Sequence, residues 1–214
     1  SPTAGQMPRS VGLALASKLY RQNKQLSNPR FSQGGNEVVF VTIGDGSTSE
    51  GQFFETLNAA GVLQIPMAIS VWDDGYAISV PTEKQTVKGS ISKALKGFEK
   101  DSANGNGIVI LKAKGWDYAG LCEMYEKGIA ICRRDHVPVL FHIEEMTQPL
   151  GHSSSGSHER YKSPERLEWE KKYDCLVQMR HWIISTGVAE PEELDAIEEE
   201  ALREAKDARQ EAYN

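Results

Sequence analysis

The sequence predicts an α/β fold, in which a parallel sheet is flanked by helices and followed by a C-terminal helical extension. Two observations lead to this prediction. Short apolar runs recur through residues 1–150 of the 214-residue chain, with segments of helical period between them. After residue 163 only helical patterns remain. Strands that alternate with helices form parallel sheets, because each connection must cross over to restart at the same edge.

Four apolar runs are the predicted strands. Each is nearly continuous in its hydrophobicity, as strands buried on both faces require. They are residues 38–43, 67–72, 108–112 and 137–143. In a parallel sheet, ligands bind beyond the carboxyl ends of the strands, so any chemistry is expected there.

Two predicted helices connect these strands, each with an apolar face that would pack on the sheet. The first covers residues 49–64, and its face consists of Phe53, Phe54, Leu57, Ala60 and Gly61. The face of the second, before the last strand, consists of Leu121, Met124, Tyr125, Gly128 and Cys132.

Residues 163–214 are predicted to be helices that pack on the core or on a partner chain. Ser163-Pro164 is a helix start, because serine caps free amides and proline suits the first turn. That helix carries Leu176 and Trp182 and is expected to end at Gly187. A last helix begins near residue 190, and its apolar stripe consists of Leu194, Ile197, Ala201, Ala205 and Ala208. The preceding segment, residues 151–162, opens Gly-His-Ser-Ser-Ser-Gly-Ser and is predicted to be a mobile loop.

Composition excludes several classes of function. A formal charge of −6 argues against nucleic acid as a partner, since a phosphate backbone requires a basic surface. No apolar run is long enough to cross a membrane, and no signal peptide opens the sequence. The three cysteines lack metal-ligand spacing and are expected to be reduced thiols. We therefore expect the bacterial cytoplasm or, in a eukaryote, the mitochondrial matrix.

Two turns at neighbouring strand ends carry the predicted site. Gly44-Asp45-Gly46 follows the first strand and precedes a helix, where free amides attract phosphate oxygens and glycine permits close approach. An aspartate there would repel phosphate unless a cation lay between them. Mg²⁺ is the expected cation, because it prefers oxygen ligands and commonly bridges a carboxylate to a diphosphate. Asp73-Asp74-Gly75, at the next strand end, can share that metal.

Other phosphate motifs do not match this region. The run Gly44-Asp45-Gly46-Ser47-Thr48-Ser49 lacks the third glycine of a dinucleotide-binding loop, and no Gly-Lys-Ser/Thr of a P-loop follows it. A metal-dependent nucleotide-sugar transferase that uses Asp73 and Asp74 remains an alternative.

These motifs resemble the thiamine diphosphate motif in the alpha subunits of pyruvate and branched-chain 2-oxo acid dehydrogenases. Counting from Asp45, the asparagine ligand of that family falls at Asp74 without a gap, and its carbonyl ligand falls at Tyr76. The resemblance covers nearly the whole chain. Its further matches are Ser1-Pro2, Gln6, Pro8, Val11-Gly12, Gly75-Tyr76-Ala77-Ile78-Ser79, Pro81-Thr82, Gln85, Gly151-His152-Ser153 and Tyr161.

The resemblance implies the thiamine-diphosphate-binding fold and a set of site residues. Asp45, Asp74 and the carbonyl of Tyr76 would bind Mg²⁺. His152 would be catalytic, near the diphosphate and in acyl transfer to lipoamide. The implied cofactor contacts are Ser1, Thr3, Gln6, Gly44, Asp45, Gly46, Ser47, Asp74, Tyr76, Ala77, Ile78 and His152.

Two departures from the family concern cofactor affinity. Asp74 stands where the family has asparagine, which adds a negative charge beside a diphosphate. Trp72 stands where branched-chain members often place a phosphate-binding arginine. Both changes, together with a Tyr-Arg segment that this sequence lacks, predict weaker binding by the isolated chain.

The implied function is thiamine-diphosphate-dependent oxidative decarboxylation of a 2-oxo acid, either pyruvate or a branched-chain acid, with acyl transfer to lipoamide. The implied partners are a beta-type pyrimidine-binding subunit or fused domain and a lipoyl-bearing acyltransferase component, in a dimer or heterotetramer. The alternative is a catalytically impaired or regulatory subunit that keeps the fold for assembly.

Overall fold

The structure is a computed structural model that describes residues 2–26, 28–102, 105–153 and 157–213. Helices and strands alternate along its first two thirds, and three helices follow. In chain order the elements are α1 (Gln6–Gln22), β1 (Val39–Gly44), α2 (Gly51–Leu63), β2 (Met67–Trp72), β3 (Tyr76–Ala77), β4 (Val80–Pro81), α3 (Ile91–Ala94), β5 (Val109–Lys114), α4 (Tyr118–Asp135), β6 (Val139–Glu144), α5 (Pro164–Lys172), α6 (Cys175–Ser185) and α7 (Pro191–Tyr213).

The main sheet has the strand order β1-β2-β6-β5, and every neighbouring pair is parallel. These are the four predicted strands, and their ends agree with the prediction within two residues. The register pairs Gly44 with Trp72 and Trp72 with Ile143. Three strands therefore end at one level, and the turns that follow them meet at the same edge. Strands β3 and β4 form a small antiparallel hairpin beyond that edge.

Two apolar clusters cover the two faces of the sheet. On one face α1 and α2 contribute Met7, Phe53 and Leu57, all fully buried. On the other face α4 packs Cys132 near Phe141. Gly128 of α4 is required by this packing, because a Cβ there would lie 2.3 Å from the Phe141 ring. Burial of both faces explains the continuous apolar runs of the central strands β2 and β6. The edge strand β1 was expected to be buried on both faces but alternates between buried and exposed residues, because no described strand covers its outer side.

The helical predictions hold in part. In α2, Phe54 is 42 % exposed, so it does not belong to the predicted buried face and instead packs edge-on against Phe53. Helix α1 was not predicted, because the small polar residues Ser10 and Ser17 interrupt a buried face whose apolar period comes from Met7, Val11, Ala14 and Leu15. Small side chains here allow α1 to lie close to its neighbours.

The C-terminal region contains three helices where two were predicted. Ser163 caps α5 by accepting a hydrogen bond from the Arg166 amide, and proline follows it, as predicted. The helix is interrupted at Tyr173, and Asp174 then caps α6 by accepting hydrogen bonds from the amides of Leu176 and Val177. A capping aspartate in mid-pattern was the missed signal. Leu176, expected on an apolar face, is 80 % exposed.

Helix α7 does not pack on the sheet. Its apolar stripe was predicted to pack either on the sheet or on a partner chain, and the first of these positions is wrong. None of its described residues is buried, and Ile197 is 61 % exposed. Its link to α6 is ionic, from Arg180 to Asp195 and Glu198. Packing of this stripe on a partner chain stays a prediction.

Two global predictions can be compared with the fold. In the part of the chain that the structure describes, no helix is both long and apolar enough to cross a membrane. The three cysteines are free, as expected. Burial raises the pKa of the Cys132 thiol to about 12, which makes it an inert side chain.

Candidate functional site

The first turn of the site leaves β1 through Asp45, which is 4 % exposed. Its amide donates to the carbonyl of Trp72 at 3.1 Å, which ties the turn to the end of β2. Residues Gly46–Ser49 then form a single 3₁₀ turn, and α2 begins only at Gly51. The amides available to a phosphate thus belong to this 3₁₀ turn, not to the first turn of α2 as predicted.

Gly46 allows the β3–β4 hairpin to approach this turn. A Cβ at Gly46 would lie 2.5 Å from the Cβ of Ala77 and 3.0 Å from its Cα. Carbon atoms in contact are normally about 3.5–4.0 Å apart. The absence of a side chain at residue 46 therefore brings together two walls of the site.

The second turn follows β2, and its two aspartates face different partners. Asp73 accepts a hydrogen bond from the Gly75 amide through Oδ1, and its Oδ2 lies 2.8 Å from Nε2 of the buried His142. Asp74 accepts from the Tyr76 amide through Oδ1 at 3.0 Å. Both oxygens of Asp73 are thus engaged, and Asp74 is the aspartate directed to the site.

A cavity of about 540 Å³ opens where these turns meet. It is lined by main chain, small polar residues, two carboxylates and apolar side chains. The lining residues are Thr3, Gly44, Asp45, Gly46, Ser47, Trp72, Asp74, Tyr76, Ala77, Ile78, Met146, Thr147, Gln148 and His152. They include no lysine or arginine, so the described part of this wall offers an anion neither an ammonium nor a guanidinium group.

The electrostatics of the cavity favour the binding of a cation. Burial, with the charges of Asp73 and Asp74, raises the pKa of Asp45 to about 7. Burial also raises the pKa of Asp74. Oδ2 of Asp45 is buried and has no hydrogen-bond partner among the described residues. A buried carboxylate oxygen without a donor is unfavourable unless it binds a proton or a cation.

The donor set is suited to a hard cation that has other ligands as well. Within the described ranges, no group of three or more His, Cys, Asp or Glu side chains could hold a metal. Two carboxylates alone leave most of an octahedral Mg²⁺ shell open, and Mg²⁺ usually completes that shell with water and substrate phosphates. Asp45, Asp74 and nearby main-chain oxygens are therefore compatible with a magnesium ion bound together with a phosphate ligand.

The cavity brings together most of the predicted cofactor contacts. These are Thr3, Gly44, Asp45, Gly46, Ser47, Asp74, Tyr76, Ala77, Ile78 and His152. Gln6 is not among the lining residues, because its side-chain amide donates to the carbonyl of Thr42 at 3.1 Å. Ser1 lies outside the described residues. Trp72, Met146, Thr147 and Gln148 were missed as lining residues, although the last three follow the carboxyl end of β6, where the sheet rule places ligands.

Left-handed backbone occurs at and beside the cavity. Of the six described non-glycine residues with positive φ, three are Ala4 (+61°), Ile78 (+58°) and Glu145 (+60°). Ile78 lines the cavity, and the other two are adjacent to the lining residues Thr3 and Met146. A β-branched residue in the left-handed region is a clear outlier, and such strain is found most often at functional sites.

His152 lies at the mouth of the cavity, and its side chain is exposed. Residues 154–156 of the predicted loop lie outside the described residues, so its mobility stays a prediction. His158 is half-buried, and its Nδ1 lacks a hydrogen-bond partner among the described residues. The end of the segment is packed, since the Tyr161 ring lies 5.7 Å from that of Tyr76.

Comparison with known proteins gives one consistent family. The Dehydrogenase E1 component family matches residues 1–214. Over 97 % of its length the chain is 31 % identical to 2-oxoisovalerate dehydrogenase subunit alpha of Bacillus subtilis (strain 168), of which it covers 58 %. Over 99 % of its length it is 28 % identical to the mitochondrial 2-oxoisovalerate dehydrogenase subunit alpha of Homo sapiens, of which it covers 43 %.

A pyruvate dehydrogenase is also among the relatives. The chain is 30 % identical, over 92 % of its length, to pyruvate dehydrogenase E1 component subunit alpha of Acholeplasma laidlawii, of which it covers 51 %. The chain spans about half the length of these curated relatives. The nucleotide-sugar transferase alternative is opposed by this match and by the engagement of Asp73 with His142. The sheet, the paired turns and the family match over residues 1–214 agree, and the chain belongs to the Dehydrogenase E1 component family.

Proposed function

We propose that this chain is the diphosphate-binding part of a 2-oxo acid dehydrogenase, and that its cavity binds thiamine diphosphate through Mg²⁺. The proposal rests on the environment of Asp45. Its Oδ2 is buried without a hydrogen-bond partner among the described residues, in a cavity that Asp74 also lines. A divalent cation would relieve the charge repulsion of these carboxylates and create a positive site for a diphosphate.

The proposed roles follow from position. Asp45, Asp74 and the carbonyl of Tyr76 would hold Mg²⁺. The amides of Gly46 and Ser47, at the start of the 3₁₀ turn, would donate to phosphate oxygens, since the first amides of a helical turn have no partner within it. The other cofactor contacts predicted from the sequence, Thr3, Gly44, Ala77, Ile78 and His152, line the same cavity, which supports their assignment.

Bound thiamine diphosphate would supply the nucleophilic carbon and the electron sink that decarboxylation of a 2-oxo acid requires. The chain itself would bind and orient the cofactor and exclude water from it. Ile78 and Trp72 would form apolar walls, which exclude water and strengthen the electrostatic interactions of the site. His152, exposed at the mouth, would be placed to exchange a proton with the substrate or with the acyl acceptor.

The proposed enzyme needs a second part. We propose that a beta-type pyrimidine-binding subunit or fused domain completes the active site, and that a lipoyl-bearing acyltransferase component receives the acyl group. The substrate would be a 2-oxo acid of the branched-chain or pyruvate type, as the names of the relatives indicate. The proposed oligomer is a dimer or heterotetramer.

Calorimetric titration of the assembled enzyme with thiamine diphosphate tests the proposal. We expect binding in the presence of Mg²⁺ and little or none in excess EDTA. Asp45→Ala should abolish this metal-dependent binding and leave the fold intact, because Asp45 lies in a turn at the sheet edge and belongs to neither apolar cluster. The matched control is Asp135→Ala, an exposed aspartate at the end of α4. An assembled enzyme that fails to bind the cofactor would support the impaired or regulatory alternative.

A further inference from the structure

The indole of Trp72 is held by hydrogen bonds that reach back into the protein. Its Nε1 donates to Oγ of Ser70 at 3.0 Å, and Oγ of Ser70 lies 2.7 Å from the hydroxyl oxygen of Tyr125. Because an indole nitrogen can only donate, Ser70 accepts from Trp72 and forms its second hydrogen bond with Tyr125. We call Ser70 and Tyr125 the Trp72 anchor.

The Trp72 anchor is fixed to the core of the sheet. Ser70 is fully buried within β2, and the strand residues on either side of it are apolar and buried as well. A buried hydroxyl without a partner is unfavourable, so this serine depends on its two hydrogen bonds. Tyr125 belongs to α4, and its ring lies 4.8 Å from the Phe141 ring and 5.8 Å from the Phe40 ring. These ring contacts fix the tyrosine and, with it, the position of its hydroxyl.

The side chain that the anchor holds has room to turn. Trp72 is 49 % exposed and lines the cavity of about 540 Å³, so the space beside it would admit other rotamers. Ser70 precedes Trp72 by two residues and shares its face of β2, because side chains alternate between the faces of a strand. The hydrogen bond therefore leans the indole back along its own strand, away from the carboxyl edge of the sheet where the cavity opens.

We propose that Ser70 and Tyr125 are positioning residues, which hold the Trp72 indole in one orientation and keep the cavity open for its ligand. The inference deepens the proposed function and rests on it for the identity of that ligand, thiamine diphosphate. A wall that is fixed before the ligand arrives avoids the entropy cost of ordering a large side chain on binding. Without the anchor, the indole would occupy several orientations, and only the fraction that leaves the cavity open could bind.

The orientation of the indole is measured first, without cofactor. This chain is labelled with 5-fluorotryptophan and assembled with its unlabelled partner, and Trp72→Phe identifies the fluorine resonance of residue 72 among the four tryptophans. We expect one narrow resonance in the parent. Ser70→Ala should broaden or split it, because the indole then exchanges between orientations. An equally narrow, single resonance in Ser70→Ala would overturn the inference.

A double-mutant cycle then measures the effect on binding. Ser70→Ala is made in the parent and in Trp72→Phe, which keeps an aromatic ring but has no N–H to donate. Calorimetry gives the dissociation constant for thiamine diphosphate with Mg²⁺. We expect Ser70→Ala to weaken binding about five-fold in the parent, as the loss of one hydrogen bond predicts, and by less than about two-fold in the Trp72→Phe background. Equal weakening in the two backgrounds would overturn the inference, because the serine would then act independently of the indole.

Ser17→Ala is the matched control for the loss of a buried serine hydroxyl. Ser17 is 3 % exposed and donates to the main-chain carbonyl of Glu37 at 3.0 Å, near the amino end of β1. This control should lower the melting temperature and leave the affinity unchanged. Weakening of binding by Ser17→Ala to the same extent as by Ser70→Ala would show general destabilisation and overturn the inference. If the parent does not bind thiamine diphosphate, the proposed function fails, and the fluorine resonances still decide whether the anchor holds the indole.

Discussion

Gly46→Ala is expected to separate the two walls of the cavity and to destabilise the fold. The new Cβ would lie 2.5 Å from the Ala77 Cβ and 3.0 Å from its Cα, and the atoms it meets are main chain or directly attached to it. No flexible side chain can move aside, so the hairpin must shift by about 1 Å to restore normal contact. Overpacking of this kind costs about 1–3 kcal/mol. For a chain of this size the melting temperature should fall by roughly 2–12 °C.

The assay compares Gly46→Ala with Gly44→Ala, its neighbour in the same motif. No atom lies within 4 Å of a Cβ placed at Gly44, so that variant should stay within about 0.5 kcal/mol of the parent. Thermal unfolding and titration with thiamine diphosphate are measured for both. Gly46→Ala should also weaken cofactor binding, because the Asp45 and Tyr76 turns move apart. Equal stability for the two variants would refute the close-approach argument.

Three further predictions concern the charged residues of the site. Asp45→Asn should stabilise the cofactor-free protein near pH 8, because a pKa raised to about 7 means that ionised Asp45 disfavours the fold. Denaturant titrations at several pH values should show this gain in the free energy of unfolding vanish as the pH falls below about 4, where the carboxyl of the parent is protonated in the folded and the unfolded protein. Asp74→Asn should bind thiamine diphosphate at least as tightly as the parent by calorimetry, because removing one negative charge near a diphosphate contributes on the order of 1 kcal/mol; markedly weaker binding would mean that the metal needs a carboxylate there. His152→Ala should impair acyl transfer to lipoamide more than it impairs Mg²⁺ binding. In the parent, protease digestion within residues 151–162 should slow when the cofactor binds. Equal digestion with and without the cofactor would contradict ordering of this segment.

The sheet and both turns of the site could be predicted from the sequence, because each rests on a local signal. The strands appear in the sequence as apolar runs, and the two Asp-containing turns follow such runs directly. Trp72 could have been added to the lining on the same grounds, since it ends β2. Helix α1 was missed although Met7, Val11, Ala14 and Leu15 repeat at helical spacing, because Ser10 and Ser17 also lie on its buried face.

The supports of the site depend on contacts between distant residues, which local patterns do not encode. Ninety-two positions separate Arg166 from the Asp74 carbonyl that it binds, and sixty-nine separate His142 from Asp73. Asp73 and Asp74 are adjacent and chemically identical, so their sequence could not assign one to His142 and the other to the cavity. Only the packing of β6 and α5 makes that distinction.

A crystal structure of the assembled enzyme with thiamine diphosphate and Mg²⁺ tests the central claim most directly. The account predicts the diphosphate in the cavity between the two turns. It predicts Mg²⁺ at about 2.0–2.1 Å from one carboxylate oxygen of Asp45 and one of Asp74. Oδ2 of Asp45, unpartnered in the described structure, should gain the metal or one of its waters as a partner. A cofactor bound elsewhere, or a metal held by Asp73 in place of Asp74, would contradict the account.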